Sequence, residues 1–279
     1  MRLRSLLFVP GDRPERFSKA AASGADALIL DLEDSVSPDH KPSARSAVLD
    51  WLASDPGITT FVRINPLDSG EIDRDLDTIA AVRPDGIVLP KAEGGSTVRS
   101  LQARARTALP PVLPIAAEHA AGIFGIGSFA EVEKDLAGLT WGVEDLATAV
   151  GAGTPRDEDG GLTSPFAVAR ALTLFGAHAA SVPAIETVFA DIHALDALGN
   201  YVARARRDGF SGMMAIHPNQ IAAINAGFTP SHEDATHARR VVAAFNAAPG
   251  AGALKLDGKM VDRPHLQRAE RLLAAYAEG

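Results

Sequence analysis

The chain has 279 residues, is 46% hydrophobic and 22% charged, and carries a formal net charge of −8. That balance excludes a disordered chain and a globally basic nucleic-acid binder, although a local basic cluster still suits a phosphorylated small molecule. Cysteine is absent, which removes disulfides and thiolate chemistry and agrees with a reducing compartment. The apolar run in MRLRSLLFVPGDRP is too short for a signal-peptide core or a membrane span. The expectation is a cytoplasmic protein with a small-molecule substrate and neither nucleic acid nor membrane as partner.

Eight short apolar runs follow in chain order: SLLFVP (5–10), ALILDLED (27–34), FVRIN (61–65), GIVLPKAE (86–93), VLPIAAE (112–118), LTWGVEDL (139–146), ASVPAIE (180–186) and GMMAIHP (212–218). They are continuous rather than alternating, as strands buried on both faces are. Helical spacing fills most of the gaps. Phe17, Ala20 and Ala21 fall at i, i+3 and i+4, with Gly24 as a stop, and Leu76, Ile79 and Ala80 repeat the pattern. In GDRPERFSKA, Asp12 reads as a helix cap, Pro14 as a first-turn residue and Glu15 as the other half of a capping box. Strand then helix, eight times in about 220 residues, predicts an α/β fold of the (β/α)₈ TIM-barrel type. An open doubly wound sheet is the competing architecture. The expected division is a barrel over 1–230 and C-terminal helices over 231–279.

Polar residues gather within a residue or two of the C-terminal ends of these runs, where a barrel builds its site. Glu118 and Asp145 end consecutive strands, and two carboxylates with room for water suit magnesium; the alternative is a pair of ordinary loop acids. Glu144 competes with Asp145, since neighbours on a strand point opposite ways. Arg63 lies inside an apolar strand. Its fork suits a substrate carboxylate or a developing enolate oxygen, or else an ion pair with Glu33 or Glu93. Lys91 and Glu93 read as a structural pair. Arg13, Arg16 and Lys19 after strand one, with Lys41 and Arg45 after strand two, suit phosphates or a solvated face. His217 reads as a structural turn residue. No GxGxxG, P-loop, GxSxG or HExxH is present. Near the end, 249–252 reads as a hinge and LDGKMVD as a lid, with Lys255 and Lys259 near phosphates. Asp262 reads as N-cap of a last helix whose face carries Leu266, Ala269 and Leu272.

SLLFVPGDRPERFSKA, ALILDLEDSVSPDHKPSAR, VRIN, GIVLPKAE, WGVEDL, GFSGMMAIHPNQI and DGKMVDRP together resemble the citrate lyase β-subunit family of carbon–carbon lyases, whose relatives include malyl-CoA and citramalyl-CoA lyases. The pieces stand in the family's order over nearly the whole chain. The resemblance implies a (β/α)₈ barrel with a C-terminal helical lid, Mg²⁺, a CoA thioester substrate, and a homo-oligomer, trimer or hexamer. It implies that Glu118 and Asp145 hold the metal and Arg63 contacts substrate oxygens. Arg13, Arg16, Lys19 and Lys41 would then face CoA phosphates, and Asp262 would join a neighbouring subunit's site. A free oxo acid or an acyl-carrier-protein thioester is the alternative substrate. Three positions depart from the pattern: His119 stands in place of Thr, Met213 or Met214 in place of Lys, and Glu186 in place of Asp.

Overall fold

Seven parallel strands form one sheet in the order β5-β4-β3-β2-β1-β7-β6. They are β1 (Ser5–Pro10), β2 (Ala27–Asp31), β3 (Thr59–Arg63), β4 (Gly86–Leu89), β5 (Val112–Pro114), β6 (Ile185–Glu186) and β7 (Gly212–Ala215). The computed structural model describes residues 1–158 and 160–277. Between β5 and β6 the segment 139–140 supplies the eighth stave, reduced to two bridging residues. Thr140 pairs in parallel with Ile115, and Leu139 pairs with Ala184. The Thr140 amide donates to Pro114 O at 3.1 Å, and the Ile185 amide donates to Leu139 O at 2.9 Å. All eight predicted runs therefore lie in one closed circuit, and the open doubly wound sheet does not form. Several strands are shorter than the apolar runs, because the polar C-terminal residues of those runs leave the ladder and become loops.

Strand alternation decides what enters the barrel. Leu6, Ala27, Ile29, Phe61, Val88, Leu113, Ile115, Ile185 and Met214 make the interior cluster. Continuing the same parity puts Asp31 of β2 and Arg63 of β3 on the inward face. These two residues are also direct partners in the parallel register. Gly86 makes room for this core: a Cβ there would lie 2.1 Å from the Phe61 ring.

Helices form where the spacing predicts them, at Phe17–Ala21 and Ile72–Val82. Asp12 is not the helix cap that the sequence suggests. The cap position falls on Arg13, with no side-chain cap bond, and Asp12 instead meets His40 Nδ1 at 3.2 Å. Arg45 belongs to the structure rather than to a phosphate site. It is buried, donates to Asp75 at 2.7 Å and to Glu71 at 2.5 Å, and Asp75 in turn accepts from the Asn65 amide. This network ties two helices to the loop that follows Arg63. Arg45→Ala leaves the fully buried Asp75 carboxylate without its cation, so unfolding should become easier by about 3–5 kcal/mol. Urea denaturation of the two proteins measures it.

The chain divides into two compact units, one over Leu3–Asn225 and one starting at Ala226. The second unit contains the helix His232–Ala247, a hairpin of β8 (Ala253–Leu256) and β9 (Lys259–Asp262), and the helix Arg263–Ala277. Ala238, Val241, Phe245, Val261 and Ala269 form its core, flanked by the expected Leu266 and Leu272. The hairpin is the structure taken by LDGKMVD. Asp257 and Gly258 both have positive φ at its turn, the Asp-Gly signature of a tight hairpin. No helix among the described residues is long and apolar enough to cross a membrane.

Candidate active site

The C-terminal ends of β2 to β5 bring together a cluster of charge. Arg63 donates through Nε and Nη2 to the two oxygens of Asp31, at 2.7 and 2.6 Å. Its Nη1 lies 3.0 Å from Glu33 Oε2, and its guanidinium carbon sits 4.8 Å over the Phe8 ring. Of the two ion-pair partners weighed from the sequence, Glu33 is present and Glu93 is not, and Asp31 was missed. The register pair of β2 and β3 was the available signal. A guanidinium has five N–H donors, so this anchoring fixes the fork while leaving hydrogens on Nη1 and Nη2 for a ligand. Lys91 also departs from expectation. It bonds Glu33 at 2.6 Å rather than Glu93, and Glu93 faces His119 at 3.8 Å.

Glu118 follows β5 and is buried. Its Oε2 accepts from the backbone amide of Lys91. Burial, with Asp145 and Glu33 adding repulsion, pushes its carboxyl up to about 8 against the opposing Lys91 bond and Arg63 charge. Asp145 sits half-buried in the first turn of the helix Val143–Ala149, where the helix dipole favours a carboxylate. Glu144 is exposed, so of the two neighbours it is Asp145 that faces Glu118. Gly142 permits the approach, because a Cβ there would lie 2.7 Å from Glu118 Cγ.

Burial also raises the Glu33 carboxyl, opposed by Arg63 and Lys91. Its Oε2 is buried with no directed hydrogen bond. Asp31 is held below the usual range: burial alone would raise it, but the Arg63 hydrogen bonds outweigh that. Four acids (Asp31, Glu33, Glu118 and Asp145) thus meet two bases, Arg63 and Lys91. Burial raises two of the acids, Glu118 and Glu33, because removal from water disfavours the charged form. The donor set fits a divalent cation bound by hard oxygens. Among the described residues no three metal-ligating side chains converge; a pair of carboxylates completed by water is the ordinary protein share of a magnesium site.

Arg13, Arg16 and Lys19 are exposed around the helix that follows β1. Lys41 is half-buried, and its ammonium donates to Leu32 O at 2.8 Å and Glu33 O at 3.2 Å, which steadies the loop carrying Glu33. His119 acts as N-cap of the helix Ala120–Gly125, accepting from the Gly122 amide through Nδ1 at 3.4 Å. His217 is the structural turn residue expected, capping its turn through Asn219 at 3.2 Å with Gln220 reciprocating. Glu186 is a core group, bonded to Trp141 at 2.7 Å and Arg170 at 2.6 Å. Met213 and Met214 are buried in β7. A cleft of about 470 Å³ opens beside the cluster, lined in part by Pro66, Asp68, Lys91, Glu93 and His119.

In the second unit, Asp262 ends β9 and caps the helix Arg263–Ala277. Its Oδ1 accepts from the His265 amide at 3.4 Å and lies 2.5 Å from His265 Nδ1. The hydrogen bond with His265 holds its carboxyl below the usual range.

Comparison with known proteins agrees with this arrangement. The model of the HpcH/HpaI aldolase/citrate lyase family matches residues 4–218, and that of a carbon–carbon bond lyase of the TIM-barrel fold matches residues 167–277. A citrate lyase subunit beta-like protein of Mycobacterium tuberculosis is 38% identical, covering 98% of this chain and 95% of its own. The mitochondrial citramalyl-CoA lyase of Mus musculus is 32% identical, covering 97% and 85%. The crystal structure of CitE from M. tuberculosis with magnesium, acetoacetate and coenzyme A superposes with a TM-score of 0.84 at 36% identity, covering 98% and 97%. A closed parallel barrel with paired acids beyond β5 and the bridging stave, matched over nearly its whole length by these proteins, places the chain in the HpcH/HpaI aldolase/citrate lyase family.

Proposed function

We propose that this protein is a Mg²⁺-dependent carbon–carbon lyase. It cleaves a 3-hydroxyacyl-CoA with a carboxylate beside its hydroxyl, such as citramalyl-CoA or malyl-CoA, to acetyl-CoA and a 2-oxo acid, or runs the reverse condensation. The observation that carries this reading is the juxtaposition of Glu118 and Asp145 in a cluster short of positive charge. Those two side chains would hold the ion. Bound there, Mg²⁺ supplies Lewis acidity toward the substrate's hydroxyl and carboxylate oxygens.

The chain's own groups do the rest. Arg63, pinned by Asp31 and Glu33, aims its remaining N–H groups at the oxygen that gains charge as the bond breaks. Because its fork is already held, it needs no reorganisation in the transition state. Asp262 gives a proton to the enolate carbon in cleavage and removes one from the acetyl methyl in synthesis. It does so in a neighbouring subunit of a homo-oligomer, a trimer or hexamer, where the second unit acts as a lid that excludes water. The protein works in the cytoplasm.

Arg13, Arg16 and Lys19 are exposed, Arg16 only loosely paired with Glu15 at 3.9 Å, and would meet CoA phosphates, whereas Lys41 serves through its backbone contacts. Arg16→Ala with Lys19→Ala should raise the KM for a thioester about tenfold with little change in kcat, since such contacts bind ground and transition states alike. Steady-state kinetics at fixed Mg²⁺ measures it, and an unchanged KM would count against this phosphate site. Citrate lyase subunit beta of Escherichia coli is also 33% identical over 99% of this chain, which favours a second reading in which an acyl carrier protein bears the thioester. Turnover of a panel of free CoA thioesters by the purified chain separates the two; no turnover of any of them by folded, Mg²⁺-supplemented protein contradicts the first.

A further inference from the structure

Two hydrogen bonds between Asp262 and His265 require opposite states of one nitrogen. The Asp262 amide points at His265 Nδ1 from 3.3 Å, a bond that needs the bare lone pair. The Asp262 Oδ1 lies 2.5 Å from the same Nδ1, a bond that needs a proton between them. The His265 amide also donates to Oδ1, at 3.4 Å, a bond that requires neither state of the ring. The carboxylate therefore keeps its place while the ring gains or loses a proton. A capping box ordinarily has Glu or Gln at this third helical position, and neither exchanges a proton there as an imidazole does.

We propose that His265 is the positioning residue of Asp262 and its proton reservoir, passing a proton to the carboxylate in cleavage and receiving it in synthesis. This rests on the reading of Asp262 given above. In cleavage the proton on His265 Nδ1 moves to the Asp262 carboxylate, and the enolate electron pair takes it from there to form the new C–H bond as the O–H bond breaks, leaving Asp262 ionised and the imidazole neutral. The substrate's hydroxyl proton leaves to solvent and the ring takes one back, so the count closes. The His265 side chain is 44% exposed, which permits that exchange. The hydrogen bond with His265 holds the Asp262 carboxyl below its usual range, so a proton that Asp262 delivers must come from a partner, and the ring that makes that bond is within reach. His265 shares a cleft of about 710 Å³ with the charged and titratable residues His232, Glu233, Asp234, His237 and Arg240 of the helix His232–Ala247 and with Arg268 of its own helix.

His265→Gln separates the proton from the cap, since Gln restores the usual capping-box residue. The test uses the full-length enzyme with Mg²⁺ and either citramalyl-CoA or malyl-CoA, whichever the wild type cleaves faster, from about pH 6 to about pH 9. The variant should keep its Tm and hold KM within about twofold, lose about tenfold or more in kcat, and change the pH profile of kcat. A wild-type kcat and profile, or a lower kcat with the profile unchanged, would overturn the proposal while leaving Asp262 in place. Near-wild-type turnover by Asp262→Asn, or no cleavage of either thioester by the wild type, would overturn the reading of Asp262 as well.

Discussion

Glu118→Gln should abolish Mg²⁺-dependent thioester cleavage, a loss of about 10³-fold or more, without unfolding the barrel. The amide keeps the shape of the side chain and can still accept from the Lys91 amide, but it brings no charge to the ion. The metal-free protein offers a sharper check. Glu118 is raised from an ordinary 4.5 to about 8 by burial, so at neutral pH its carboxyl keeps a proton that the unfolded chain has lost. By linkage, its contribution to stability declines as pH rises from about 4.5 to about 8 and is level above that. Mg²⁺ needs the carboxylate and must displace the proton. Its affinity should therefore rise with pH, by up to about tenfold per unit, and flatten above about 8. Calorimetric titration of Mg²⁺ at several pH values tests this. A pH-independent affinity, or an unchanged affinity in Glu118→Gln, would remove Glu118 from the metal site.

Asp262→Asn should lower kcat by about 10²- to 10⁴-fold while the metal still binds. Asn is among the better N-cap residues, so the start of the helix Arg263–Ala277 should survive and Tm should change little. A structural role alone predicts turnover retained, since Asn keeps the cap. The subunit claim has its own outcome. Asp262→Asn and Glu118→Gln chains are each inactive alone. Mixed one to one after dissociation and reassembly, they should recover about a quarter of wild-type activity if each site takes its ion from one subunit and its acid from the next. No recovery in an oligomer shown to exchange subunits would place both groups in one chain.

The barrel was legible because its strands are buried on both faces and read as eight apolar runs, each ending in polar residues. The placement of Glu118 and Asp145 followed from those endings. The Arg63 pairing was only half legible. Spacing alone offered Glu33 or Glu93, whereas the parallel register makes Asp31 the direct partner of Arg63, and register emerges only when the sheet closes. Lys41 and Arg45 show a different limit. Both look like solvated cations in SPDHKPSAR, yet one is held by loop carbonyls and the other by a buried acid 30 positions away. Sequence spacing carries no information about which carbonyls fold back on a lysine or about an acid 30 positions away. The hairpin at Asp257 and Gly258 was within reach, because Asp-Gly between short strands is a strong local turn signal.

The most direct test of the central claim is the release of acetyl-CoA and 2-oxo acid from citramalyl-CoA and malyl-CoA by the purified enzyme, with Mg²⁺ and then with EDTA. The account predicts equimolar products from at least one thioester, loss of turnover in EDTA and recovery on re-addition of Mg²⁺. Turnover that persists in EDTA, or release of free CoA by simple thioester hydrolysis with no 2-oxo acid formed, would contradict it.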